Sequence, residues 1–438
     1  MDTSTKRTIH AWLVLAILIC IGILAHIDRA VISLLIDPIR ESFGITDMQL
    51  SLVMGLAFGF TYSLASVPMG YFIDKFSRRV VLSSAVAVWT SASIASGFSS
   101  SYAQLFLARI GIGAGESALQ PGAFSIISDL FPLKRLALAT SIFSAVGILG
   151  GAAALALGGF VYDWLASLDA AEIPTALRRF EPWQGTLILI AMPGFLLALL
   201  LLLVKEPVRR SLFQQQDTAS PEEFISFLKR RAAYFIPHMV GFGMLAVMAY
   251  GFASWGPAHL MRDYGLTASQ AGMRFAITSG PAGLAGFLFS GWYVDRRFAA
   301  GVLDVHLRYF IVTTAALFVF SIVFLILIES LFATTLAIIL VFFLIAFSGV
   351  AAASLQIVTP SQFRGRVSAI YVMVYNLMGM IMGPAAVTLV AKLPILAEQG
   401  LGKAIGFVFV GGAPLAIICF YFALRPARNS VRELIPSG

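Results

Sequence analysis

The sequence predicts an all-α membrane protein with twelve transmembrane helices arranged as two six-helix bundles. Composition, the spacing of apolar runs and an internal repeat predict it. The 438 residues are 59% hydrophobic and only 12% charged, whereas soluble domains carry about 25% charged residues. Charge this sparse cannot coat a soluble surface, and disordered chains need the opposite composition. A helical span takes about 20 apolar residues. Apolar stretches fall at 10–36, 47–73, 80–98, 102–128, 136–162 and 184–204, then at 234–261, 268–294, 305–328, 331–358, 367–392 and 402–424.

The repeat turns twelve spans into six plus six. Gly70-Tyr71-Phe72-Ile73-Asp74-Lys75 closes span two, and Gly291-Trp292-Tyr293-Val294-Asp295-Arg296 closes span eight. Pro132 and Arg135 follow span four, as Pro360, Arg364 and Arg366 follow span ten. Such a duplication predicts two parallel-related bundles with a cavity between them. The expected parts are an N-terminal bundle over 1–204, a cytoplasmic linker over 205–233 and a C-terminal bundle over 234–438. The linker contains QQQDTASPEE and a short amphipathic helix near Phe224–Leu228.

Lysine and arginine placement sets the orientation. With the N-terminus inside, 21 of the 30 basic residues fall on cytoplasmic segments, among them Lys75, Arg78, Arg79, Arg296, Arg364 and Arg425. Seven fall outside: Arg40, Arg178, Arg179, Arg262, Arg274, Lys392 and Lys403. Both termini are therefore expected in the cytoplasm of a plasma membrane, the bacterial inner membrane. The net charge of +8 is topological and gives no footing for nucleic acid. Lys6-Arg7 and the following apolar run imitate a signal peptide, but the run continues past Asp28 and reads as a retained span. Cys20 and Cys419 lie in apolar runs at opposite ends of the chain and read as buried small residues without metal spacing.

Ionisable groups in hydrocarbon cost about 2.5–3.5 kcal/mol each on insertion scales and mark function. Span one carries Asp28-Arg29, and span four carries Arg109 and Glu116, followed by Gln120. Spacings of seven and four put Arg109, Glu116 and Gln120 on one helical face. At a rise of about 1.5 Å per residue, Asp28 and Arg109 lie roughly 10–12 Å below the outer ends of their spans. Glu116 sits near mid-membrane, so the four charges can meet, with a formal sum of zero. Burial disfavours a carboxylate's charged form and a neighbouring arginine favours it. A carboxylate here can switch between forms, while arginine keeps its proton and tunes the acid or clamps an anion. The proton-coupling candidates are therefore Asp28 first and Glu116 second, with Arg29 and Arg109. The plainer alternative is a permanent ion-paired network joining helices.

The C-terminal half has no charge at mid-span. Its cavity candidates are the neutral Trp255, Gln356, Tyr371, Tyr375 and Asn376, which join Arg29, Glu116 and Gln120 as expected substrate-binding residues. A polar N-terminal half facing an apolar C-terminal half suits an amphiphile. On the cytoplasmic side, Gly70 is expected to permit close helix packing. Asp74 and Arg78, with Asp129 at the end of span four, form an expected gating cluster that latches helices in one state.

Gly70-x-x-x-Asp74-Lys75-x-Ser77-Arg78-Arg79, with its degenerate copy at Gly291–Arg297, resembles the signature loop of the major facilitator superfamily. Ser77 stands where that family usually has glycine. Arg109-Ile-Gly-Ile-Gly-Ala-Gly resembles the helix-four motif of the superfamily's proton antiporters. Asp28-Arg29, Gly113-Ala-Gly-Glu116-Ser-Ala-Leu-Gln-Pro121 and Ser128-Asp-Leu-Phe-Pro132 are similar to the Spinster-like branch. That resemblance implies a major facilitator fold working by alternating access. It also implies export of sphingolipids or lysophospholipids with proton coupling, Asp28, Arg29 and Glu116 being the coupling and headgroup residues.

The expected partners are a lipid or amphiphilic substrate, protons and membrane lipids, with the chain a monomer. No cofactor, metal or enzyme activity is expected: the glycine run lies inside a span, where a nucleotide loop fails on context, and no catalytic constellation stands out. Rival expectations are a multidrug-proton antiporter, an organic-anion symporter and a passive lipid scramblase or channel.

Overall fold

The computed structural model describes residues 3–168, 180–206, 220–396 and 399–434. The expected outer charges Arg178 and Arg179, and most of the linker with Arg209 and Arg210, lie outside the described residues. Among those described, every regular element is helical, and nine helical stretches are long and apolar enough to cross a membrane. The other three expected spans are also helical: Tyr102–Glu116 with Leu119–Leu130, Leu133–Ser167, and Ala268–Ala299. The all-α, twelve-span reading therefore stands.

Several spans are broken, and prolines explain three breaks. A proline ring collides with the carbonyl four residues earlier and supplies no N–H. Pro121 conflicts with the carbonyl of Ser117, and span four splits into Tyr102–Glu116 and Leu119–Leu130. Pro38 does the same at Leu34: span one runs as Thr3–Ala30, tightens to a 3₁₀ turn at Val31–Leu34 and resumes as Ile36–Phe43. Span six divides at Met192, just before Pro193. Three other spans contain π-helical segments at Val53–Phe60, Ile322–Leu327 and Leu377–Met382. The linker helix is present as Pro221–Arg230, closed at its start by a Ser220–Glu223 capping box.

The chain forms two compact units. The first comprises Met1–Ser211 together with Leu260–Ile277, and the second comprises Leu212–His259 and Thr278–Gly438. In the first, span one packs along span five, and span three lies between spans four and six. Trp89 and Trp183 are fully buried there. In the second, Val305–Ser321 packs along Leu401–Leu434, around a cluster in which Phe242 meets Phe310 and Phe420. Both units expose large apolar side chains, such as Leu64, Leu107 and Phe160 in the first and Val312, Phe332 and Phe422 in the second. Such a surface suits lipid rather than water. Cys20 is on that surface and Cys419 is only half-buried, which corrects the reading of both as core residues. An apolar run in a membrane chain has a lipid face as well as a packed one.

Candidate substrate and proton site

Span four meets spans two and three closely because its glycines have no side chain. A Cβ on Gly113 would lie 2.6 Å from the Phe58 carbonyl oxygen, and one on Gly115 would lie 2.7 Å from the Trp89 Cβ. This close approach sets Glu116, the last residue before the proline break, deep in the first unit with no solvent exposure. Arg29 comes from the last turn of Thr3–Ala30, just before the 3₁₀ turn. Its Nε donates to Glu116 Oε2 at 2.6 Å. Its guanidinium also lies 4.9 Å from the Phe58 ring centre and 4.7 Å from that of Tyr62, the two rings being stacked. Phe58 belongs to the π-helical segment of span two, a distortion frequent at functional sites. Three irregular helices thus converge on one ion pair.

Asp28 has a different partner. The hydroxyl of Ser93, on span three, donates to Asp28 Oδ1 at 2.8 Å. Arg109 donates to the backbone carbonyl of Asp28 at 2.9 Å, while its Nε has no hydrogen-bond partner. Asp28 Oδ2 and Glu116 Oε1 also have none. Asp28, Arg109 and Glu116 are buried, whereas Arg29 is 26% exposed. The group therefore presents one partly accessible cation, backed by a buried carboxylate and two aromatic faces, beside a second buried carboxylate. Its chemistry fits binding an anionic group at Arg29 and holding a proton at either unpartnered carboxylate oxygen.

The structure brings Asp28, Arg29, Arg109 and Glu116 together. Gln120 differs from them in its surroundings: it lies beyond the break at Ser117–Ala118 and is exposed, while Arg109 and Glu116 are buried. In the second unit, Trp255 is fully buried with its indole N–H donating to the Pro384 carbonyl at 3.2 Å. Gln356 donates to Ser368 Oγ at 2.7 Å. Tyr371 and Tyr375 stack at 5.5 Å; Tyr371 is buried with an unpartnered hydroxyl, Tyr375 is half-buried, and the neighbouring Asn376 is buried. Sequence reading missed Ser93, Phe58 and Tyr62, since a serine or aromatic in an apolar run carries no signal. It also missed His238, buried in the second unit with Nε2 2.7 Å from Ser354 Oγ.

The loop between spans two and three is organised by Arg78. Buried beside Asp129, it bonds that carboxylate and reaches the Ser125 hydroxyl and carbonyl oxygens at 3.1 Å each. Its backbone N–H donates to Glu206 Oε1 at 2.8 Å, and the Ser77 hydroxyl donates to Glu206 Oε2. Ser77 has φ −60° and ψ 116°, an ordinary extended conformation, so no glycine is required there and the hydroxyl gains a partner. Partial burial pushes the Glu206 carboxyl up, but the bonds from Ser77 and Arg78 and the Arg78 charge outweigh it and hold it below the usual range. Asp74 is exposed. Gly70 does not serve close packing in this structure, since a Cβ there would meet nothing within 4 Å.

Similar proteins place the chain in a family. The Major Facilitator Superfamily profile matches residues 18–384. The chain is 23% identical over 287 residues to an MFS-type efflux pump of Mycolicibacterium smegmatis, covering 66% of this chain and 63% of that one. It is 27% identical over 268 residues to protein spinster homolog 1 of Xenopus tropicalis, covering 58% of this chain and 46% of the other. These matches span less than two thirds of each relative's length. A crystal structure of a bacterial homologue of the human lysosomal transporter Spinster, inward-facing and unoccupied, superposes with a TM-score of 0.79 at 22% identity. That superposition covers 98% of this chain and 99% of the other. With the profile spanning most of its length and the fold shared throughout, the chain belongs to the Major Facilitator Superfamily.

Proposed function

We propose that the chain is a secondary active transporter that exports a lipid or other amphiphile by alternating access, driven by protons. Both termini lie in the cytoplasm in this reading, and the chain acts as a monomer. The observation that carries the reading is the buried group of Asp28, Arg29, Arg109 and Glu116. Two of its carboxylate oxygens lack hydrogen-bond partners. An ionised oxygen buried without a partner is costly, and a proton there removes the charge. Passive flow has no need of such a group.

Arg29 is the member a substrate can reach. For export driven by inward proton flow, a phosphate or carboxylate headgroup would leave Arg29 on the outer side before a proton enters at Asp28 or Glu116. That proton would leave inside before the next headgroup binds. The Spinster-like resemblance of the sequence implies a lipid-like substrate, and Spinster proteins are among the similar proteins. Similarity to an efflux pump favours a second reading, multidrug-proton antiport.

The test is flux in proteoliposomes with an imposed pH gradient, using a fluorescent lysophospholipid and, separately, a drug-like cation. The expected result is lysolipid movement that follows the gradient and loses that dependence in Asp28→Asn. Movement indifferent to the gradient, unchanged in Asp28→Asn, defeats proton coupling. Gradient-driven movement of the cation alone selects the second reading.

A further inference from the structure

We propose that Arg262 is the clamp of the outer gate: it docks the tip joining spans seven and eight onto the ends of spans one and two and must release for the site to open on that side. The inference rests on the alternating-access reading. By sequence the tip belongs to the second half of the chain, yet Leu260–Ile277 packs within the first unit.

Arg262 lies in the last turn of Ala232–Tyr264. Its Nε donates to Asp37 Oδ1 and Oδ2 at 2.9 and 3.1 Å, and its Nη1 and Nη2 donate to Asp47 Oδ2 and Oδ1 at 2.7 and 2.9 Å. Nη2 also lies 2.7 Å from Asp37 Oδ1. One guanidinium therefore grips two carboxylates, each from the first turn of a separate helix, Ile36–Phe43 and Asp47–Leu52. A planar fork makes this double grip; a lysine ammonium would not.

A second anchor lies beside it. Asp163 of span five accepts from the Thr267 hydroxyl at 2.6 Å and from the Ser269 N–H at 2.9 Å, satisfying the start of span eight. The helices touch backbone to backbone: a Cβ on Gly159 would fall 2.3 Å from the Ala268 carbonyl oxygen, and one on Gly272 would fall 2.1 Å from that of Leu155.

The clamp is built to let go. Arg262, Asp37 and Asp47 are 21%, 26% and 29% exposed, so water can replace each bond as it breaks. A neighbouring arginine, Arg40, lies 3.6 Å from Asp37 and 3.9 Å from Asp47. It remains to neutralise the carboxylates once Arg262 has left.

Docking is read by a disulfide between Asp163→Cys and Thr267→Cys in full-length protein carrying Cys20→Ser and Cys419→Ser. With Arg262 present, mild oxidation closes it rapidly. Arg262→Gln is expected to slow closure about tenfold, and Arg262→Asp combined with Asp47→Arg to restore it. An unchanged rate in Arg262→Gln, or no recovery in the charge-swapped protein, overturns the clamp. Release is read in proteoliposomes with the fluorescent lysophospholipid: the oxidised protein should stop moving it and a reductant should restore movement. Equal movement by both forms overturns the gate. If neither form moves the lipid, the transport reading fails, while the cross-linking rates still decide the clamp.

Discussion

Arg29 and Glu116 share a charged hydrogen bond inside the candidate site, and their coupling is measurable. Glu116 is fully buried and takes its charged hydrogen bond from Arg29. Breaking a buried pair from one side costs about 3–5 kcal/mol, because the remaining charge loses its compensation. Arg29→Met should therefore lower unfolding stability in detergent by about that amount. Adding Glu116→Gln should recover most of the loss, giving a large interaction energy in the double-mutant cycle. Additive effects would show that the two side chains act independently. The four charges were legible in the sequence because each is an anomaly in an apolar run. Their pairing was not: spacing along a helix cannot show that Arg109 would bond the Asp28 backbone while Ser93 took the carboxylate.

Glu206 gives a second residue-scale prediction, this one in pH. Its carboxyl is held below the usual 4.5 by Ser77 and Arg78, against partial burial. A group depressed in the folded state contributes stability above its unfolded value and loses that contribution as pH falls through the folded one. The melting temperature should fall on acidification below about pH 4.5, and the gap between parent and Glu206→Gln should close over the same range. A gap independent of pH would remove Glu206 from the ionised bonding of this loop. Its role has no cue in the sequence, since a glutamate just past a span reads as an ordinary loop charge.

Among the helices, glycines within spans differ in what they permit. Gly113 sits where a Cβ would lie 2.6 Å from the Phe58 carbonyl oxygen, while Gly70 has open space. Gly113→Ala should therefore cost about 1–3 kcal/mol through overpacking and push the π-helical segment of span two away from Arg29. Gly70→Ala should leave the melting temperature nearly unchanged. Equal effects in thermal unfolding would contradict the packing described. Hydropathy located the spans, but it could not show their breaks. Pro121 was visible, yet only the structure shows the helix ending at Glu116 with Gln120 exposed beyond the break.

For the whole molecule, basic residues decide which way the chain faces. A bilayer retains lysine and arginine on the cytoplasmic side of short loops, and 21 of the 30 lie on segments that one orientation places there. The proposed orientation puts the loop bearing Arg78 and the helix bearing Lys229 and Arg230 on that side, and Asp37, Asp47 and Arg262 on the opposite one. If this orientation holds, Arg78 with Asp129 and Glu206 guards the cytoplasmic end, and the Arg262 clamp guards the outer one. A green fluorescent protein fused after Gly438 should then fluoresce and alkaline phosphatase there should be inactive, whereas phosphatase inserted after Gly44 should be active. The reverse pattern would exchange the two ends, making Arg262 a cytoplasmic clamp, while the direction of transport, set by the proton gradient and the sign of coupling, would stay the same.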